Sequence, residues 1–272
     1  MKFVPRTAAF LGVLACLFGA APALGWGAKA HRIVCTMTWN ESTEEARDAI
    51  RAILNVTARE QFAAHCARPD EHLKEHPERA AWHVLYLPPS AATIDLDRDC
   101  PMPASCVWRE IERNLGVLKS AAPRAERAEA LGLLAHLVAD AHQPLNIGLA
   151  QDDGGARLTA TFLGRPTTMR AIWDELLIEP VPEPTAPDGI IRLTGWFFQV
   201  DGPREYWLQT TPADWVRESL WIMRTPATGY VGNSGGLSFD ELYVKQNRLV
   251  ALEQIYKASL RLTQVLADAL AL

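Results

Sequence analysis

The chain has 272 residues, with 27 Lys and Arg against 32 Asp and Glu, for a net charge of −5 at neutral pH. An acidic chain draws no polyanion by net charge, so any nucleic-acid binding must come from a local site. The length allows one large domain with a substantial core, and no internal repeat, low-complexity tract or second long apolar run interrupts it.

Residues 1–25 read as a secretory signal. Lys2 and Arg6 supply the positive start, Ala8 to Ala20 the apolar run, and Ala23-Leu24-Gly25 the small residues before a cut. The run is too short for a membrane span. A rival cut before Cys16, which would leave a lipid-anchored protein, fits Val13-Leu14-Ala15-Cys16 only loosely. Cutting after Gly25 leaves a domain at 26–272 that begins on Trp26, and the loss of Lys2 and Arg6 takes the net charge from −5 to −7. The expected location is secreted or periplasmic. Four cysteines remain, and an even number in an oxidising compartment favours disulfides over a metal cluster. Cys100 and Cys106 share a short Pro-bearing loop and can pair locally, which leaves Cys35 for Cys66.

Helical periodicity dominates the rest of the chain. The pattern predicts helices near Glu44–Leu54, Val107–Lys119, Arg124–Ala141, Thr168–Leu177, Pro212–Met223 and Arg248–Leu270. Ser42 and Thr211 precede two of them as N-caps, with Pro212 in the first turn of the latter. Arg157–Leu163 alternates as a short strand after the Gly154-Gly155 turn, and the four prolines between Glu179 and Pro187 predict an irregular loop. The fold class expected is all-α, one compact helical domain with a short β-hairpin excursion.

Three groups of residues have the chemistry of metal ligands. His136 and Asp140 lie four apart in an apolar run, so a helix presents both on one face, and Pro144 then turns the chain. Asp70 and His83 form a second pair, weak on spacing alone. The third is Trp26 with His31, since a new N-terminal amine and its own carbonyl can chelate a cation. Competing histidines are less suited: His72 and His76 sit in a charged run that reads as a solvated helix face, His65 has no partner, and His142 would point away from Asp140 as a structural hydrogen-bonder.

Taken together these blocks resemble the zinc-dependent single-strand nucleases of the S1/P1 type, which include mung bean nuclease and share a fold with bacterial zinc phospholipase C. The resemblance rests on Trp26-Gly27 with His31, Cys35, Asp70 after Cys66, Trp82-His83, Cys100 with Cys106-Val107, His136-xxx-Asp140-x-His-Gln-Pro-Leu, Asp152-x-Gly154-Gly155 and Ile172-Trp173-Asp174. It implies a phospholipase C/zinc-nuclease fold over 26–272 and the pairing Cys35–Cys66 and Cys100–Cys106. It also implies one zinc held by Asp70, His83, His136 and Asp140, and a second held by Trp26, His31 and a bridging Asp140. A water bridged by the two metals would attack phosphorus, with Asp70 orienting the site.

The family's third zinc needs ligands at positions that here read Asn146, Arg170 and Asp174, and an Arg cannot coordinate a cation. Two zinc ions per chain are therefore expected, with the third site empty although Asp174 survives. Arg170, four residues before Asp174, has the spacing of a helical ion pair and could replace the lost charge, forking onto a phosphate with Asn146 beside it, or merely plug a dead site. Val84 stands after His83 where the family has an aromatic for base stacking; Trp108, Trp173, Trp196 and Trp221 are the possible substitutes.

The function implied is a secreted zinc phosphodiesterase or endonuclease, expected as a monomer, that cuts single-stranded DNA or RNA to 5′-phosphate products with reduced or altered activity. Two alternatives stand beside it. One is a phospholipase C-like or 3′-nucleotidase activity on smaller phosphoesters, and the other a non-catalytic zinc-binding protein.

Overall fold

The computed structural model describes residues 25–270 apart from 187 and 201; the signal expected before Gly25 lies outside them. In chain order the helices are α1 (Ala28–Glu41), α2 (Glu44–Leu54), α3 (Arg59–His72), α4 (Leu96–Asp99), α5 (Val107–Lys119), α6 (Arg124–Ala141), α7 (Met169–Ala171), α8 (Gly189–Phe197), α9 (Arg204–Leu208), α10 (Pro212–Arg224) and α11 (Glu241–Leu270). Three short strands, β1 (Thr159–Phe162), β2 (Arg165–Thr168) and β3 (Leu237–Phe239), make up the rest of the regular structure apart from short 3₁₀ and π turns. No helix among the described residues is long and apolar enough to cross a membrane.

The core is organised around α6. Its last twelve residues are apolar except for His136, Asp140 and Gly132, and all but Gly132 are buried. A helix apolar on every side belongs in the middle of a domain, and α6 packs against α1, α2, α3, α5, α10 and α11. Its two polar side chains are thus carried into the interior, where only mutual pairing or a ligand can compensate their lost hydration. The disulfide Cys35–Cys66 ties α1 to α3, and Cys100–Cys106 closes the turn before α5.

Several elements depart from the periodicity. The pattern does not predict α1 and α3 as helices; α1 carries Ile33, Val34, Thr36 and Thr38, all β-branched, and α3 carries Pro69 inside it. Ser42 is not the cap of α2. Thr43 is, accepting from the Ala46 amide, while the Ser42 hydroxyl closes α1 on the Thr38 carbonyl. Thr211 does cap α10, in a reciprocal box with Asp214, behind Pro212. α11 begins seven residues before the expected Arg248, at Glu241. The predicted helix at Thr168–Leu177 is short: Thr168 caps α7, and Ile172–Leu176 continues as a π turn.

The expected hairpin is β1–β2, antiparallel, with Leu163 and Gly164 both at positive φ as a tight hairpin turn requires. β3, which the sequence pattern does not announce, adds parallel to β1. The hairpin delivers the chain directly into α7 and the π turn, which brings Arg170 and Asp174 inside.

A second buried polar network lies between α6, α10 and α11. His142 Nδ1 donates to the Val138 carbonyl and Nε2 accepts from Arg261, which also pairs with Glu218 at 2.8 Å; Lys257 completes the cluster. Burial, reinforced by Arg261, pushes His142 down to about 3, so it stays neutral. For Glu218, burial works to raise the carboxyl, but Arg261 and Lys257 outweigh it and hold the group at about 2, against an ordinary 4.5. A depressed carboxylate contributes stability above its unfolded value and loses it as pH falls towards the folded one. Glu218→Gln is therefore expected to flatten acid destabilisation between pH 4.5 and about 2, by up to about 3 kcal/mol. Thermal melts of both proteins across that window check this, and parallel curves would remove Glu218 from the acid response.

Candidate metal centre

Four elements converge on one buried point. On α6, His136 Nε2 and Asp140 Oδ2 lie 3.1 Å apart. His83, at the end of the 3₁₀ turn Pro77–His83, brings Nδ1 to 2.9 Å from Asp140 Oδ2 and 3.0 Å from His136 Nε2. Asp70, near the end of α3, sets Oδ1 at 3.5 Å from His136 Nε2 and 3.7 Å from His83 Nδ1. Donors held about 2.0–2.1 Å from a tetrahedral zinc sit roughly 3.3 Å from one another. The observed separations bracket that figure.

The remaining Asp140 oxygen, Oδ1, faces His31 Nε2 of α1 at 3.5 Å, so one carboxylate serves both sides of the cluster. The His31 ring stacks on His136 with centroids 3.7 Å apart. Beside them the chain at Gly25 runs so close that a side-chain carbon there would stand 2.0 Å from Asp140 Oδ1. That approach brings the backbone leading into Trp26 against the Asp140 carboxylate; the Trp26 indole is itself fully buried.

Three features fit this donor set to a cation. Both ring nitrogens of His31, Asp70 Oδ1 and Asp140 Oδ1 are buried with no hydrogen-bond partner, an unusual concentration of orphaned groups. His136 donates Nδ1–H to the Cys66 carbonyl at 2.7 Å, which leaves the Nε2 lone pair facing the cluster, the usual outer support of a metal-bound imidazole. The charges also fail to balance. Burial opposes ionisation of Asp140, but His136 and His83 hold its carboxyl far below the ordinary range, while burial pushes His31 down to about 4. Burial works against a proton on His136, but Asp140 and Asp70 draw it up, so that proton offsets part of their charge. Excess buried negative charge costs several kcal/mol, which a divalent cation would relieve.

Asp174 does not join this cluster. Its carboxylate lies 3.2 Å from Arg170 Nε and accepts from Gln143 Nε2 at 2.5 Å. The Arg170 guanidinium also donates to Asn146 Oδ1 at 2.6 Å and to the Tyr86 hydroxyl at 2.9 Å, and is almost fully buried. Burial raises the Asp174 carboxyl and the guanidinium works against that rise. Asn146 links the two regions, its amide donating to the Asp140 carbonyl at 3.1 Å. In this arrangement Arg170 is engaged within the protein, and a fork onto a phosphate would require displacing Asn146 or Tyr86. Gly154 makes room for it: φ is +60° there, and a side-chain carbon would stand 2.5 Å from Arg170 Nη1.

Sequence patterns do not single out Tyr86, Gln143 and Gly154 as supports of Arg170 and Asp174; only Gln143 and Gly154 fall within recognised motifs. The same holds for Tyr230, whose hydroxyl bonds Asp152 and the Leu149 amide and so holds the Gly154-Gly155 turn in place. Of the stacking candidates, Trp173 is core, bonded to Tyr243, and Trp108 and Trp196 are partly buried beneath Arg217 and Arg248, whereas Trp221 is largely exposed. His72 and His76 are exposed, the latter paired with Glu78.

Residues 26–271 match the sequence model of the S1/P1 nuclease family. Endonuclease 3 of Arabidopsis thaliana is 26% identical over 264 residues, covering 90% of this chain and 88% of the relative. Endonuclease 4 of the same plant is 30% identical over 170 residues, 58% of this chain and 56% of its own length. Nuclease S1 of Aspergillus oryzae is 32% identical over 87 residues, 32% of this chain and 30% of its own.

Proposed function

The chain belongs to the S1/P1 nuclease family, and from that premise we propose that it is an exported zinc phosphodiesterase that cuts single-stranded nucleic acid to 5′-phosphate products. The observation that carries the reading is the shared carboxylate. Asp140 turns one oxygen to His83 and His136 and the other to His31, the shape of a bridging ligand between two cations. Asp70, His83, His136 and Asp140 would hold one zinc, and Trp26, His31 and Asp140 the second. When bound, such a pair supplies an acidified water and positive charge against the attacked phosphate.

The chain's own residues would position and steady the reacting groups. His136, fixed by the Cys66 carbonyl, keeps its Nε2 lone pair aimed inward. Asp70 is the only one of the four ligands of the first zinc with appreciable exposure, so substrate and water reach the cluster on its side. Arg170 and Asn146 form a fixed polar wall beside Asp140. There the guanidinium stands in for a third cation, steadying the leaving oxygen's charge at a distance and holding Asn146 in register. Export follows from a signal cut after Gly25, which also frees the Trp26 amine for chelation. The domain begins at Trp26.

The test is metal content and turnover on the processed chain. Two zinc ions per chain are expected by elemental analysis, with hydrolysis of single-stranded DNA or RNA exceeding that of 3′-nucleotides and phosphatidylcholine. Three ions would mean that Asp174 is freed to ligate. Faster turnover of a small phosphoester would favour the phosphomonoesterase or lipase alternative, and bound zinc with no turnover the non-catalytic one.

A further inference from the structure

The cluster opens beside a groove between α3 and α6. Leu54, Pro69 and Leu133 give it an aliphatic floor, and His83 also lines it. The cavity is about 280 Å³, the lower end of small-ligand sites and suited to one nucleotide unit rather than a long strand. His83 belongs both to the donor cluster and to the lining of the groove, so the two adjoin.

Its rim is basic although the mature chain is acidic. Arg68, His65 and His72 line it together with Arg79. Arg79 is already committed, paired with Glu129 at 3.0 Å and laid over the Trp82 ring, which also neutralises the one acid lining the groove. Arg68 is different. It is exposed and makes no ion pair among the described residues. Its Nη1 lies 3.2 and 3.1 Å from the two ring nitrogens of His65, so the guanidinium is held against that imidazole. A preset, unneutralised guanidinium over an apolar floor is the arrangement that holds a phosphate and a base together.

We propose that this groove is a nucleotide subsite: Arg68 takes a backbone phosphate next to the scissile one, and the attached base lies on the Leu54–Pro69–Leu133 floor. This rests on the nuclease reading and supplies the base site that Val84 leaves vacant beside His83. It also gives an acidic protein its local attraction for a polyanion.

Arg68→Glu is expected to lower kcat/KM for a single-stranded decanucleotide about tenfold relative to kcat/KM for bis(4-nitrophenyl) phosphate, which has no flanking nucleotide. The salt dependence of oligonucleotide KM should fall by about one unit of log–log slope. Gly132→Phe gives an independent check. A side-chain carbon at Gly132 meets nothing within 4 Å, so the ring enters the groove, and the same ratio should fall with the charge intact. An unchanged ratio in both variants overturns the subsite while leaving the nuclease reading in place. If the wild type cuts neither substrate, the nuclease reading fails instead. Fluorescence anisotropy of the uncut labelled decanucleotide then reads the groove, and equal affinity for wild type and Arg68→Glu overturns it.

Discussion

Asp140→Asn is expected to cut phosphodiester turnover by about a thousandfold or more, because on the two-cation reading proposed above it takes the charge from the shared ligand and an oxygen donor from one of the cations. Substitution of His31 or His83 touches one side only. The carboxylate is fully buried and engages His83, His136 and His31. An amide keeps the shape and loses the charge, so zinc content should fall from two per chain towards none. Stability should fall in both forms, and further when zinc is present. Without metal, the variant is expected to melt lower than wild type, since burial is outweighed by His136 and His83, which hold the carboxylate below its ordinary range, and an amide loses that pairing. With zinc in excess, wild type gains a ligand-dependent rise in melting temperature that the variant lacks. Zinc analysis, melting with and without chelator, and turnover together check this. Retention of two tightly bound ions by Asp140→Asn would remove Asp140 as the bridge.

Arg170→Ala is expected to be the most destabilising single change near the site. It removes the guanidinium that opposes the burial-driven rise of the Asp174 carboxyl to about 8, leaving that group unpaired in the interior, and it takes the donor from Asn146 Oδ1 and the Tyr86 hydroxyl. Breaking a buried pair from one side costs about 3–5 kcal/mol, which for a domain of this size lowers the melting temperature by roughly 10 °C. Arg170→Met with Asp174→Leu, which removes both charges, should recover most of the loss. Turnover separates the two roles. If the guanidinium serves the reaction, Arg170→Ala and the double variant both lose about a hundredfold at a temperature where each is folded. Full activity in the refolded double variant would leave Arg170 as a structural plug.

Much of this is legible without coordinates, for identifiable reasons. The stretch from Arg124 to Ala141 is a helix with a charged first turn and an apolar second half that carries two polar residues one turn apart, and the shared face of His136 and Asp140 follows from that spacing. The Thr211–Asp214 cap and the β1–β2 turn are likewise local chemistry. What escapes the pattern is non-local. α1 is rich in β-branched residues and α3 is broken in pattern by Pro69, so their helicity comes from packing on α6 and on each other. The parallel addition of β3 pairs residues 77 apart, such as Ala160 with Leu237, and no local window of sequence contains both.

Residue chemistry narrows the candidate ligands to three groups, and it is the family resemblance that joins Trp26, His31, Asp70 and His83 to the His136–Asp140 pair. Histidines, carboxylates and cysteines at those positions have only a few things they can do, and the motifs order them along the chain. By the same resemblance Asn146 and Arg170 stand at two ligand positions of a third cation, and an Arg cannot coordinate one. What those two residues do instead comes from the packing. Whether a guanidinium reaches a substrate or is consumed inside the protein depends on Tyr86, Asn146 and Asp174 arriving around it from separate segments. The basic groove beside Asp70 is of the same kind. Arg68 and Leu133 are 65 residues apart in sequence and share a cavity because α3 and α6 pack side by side.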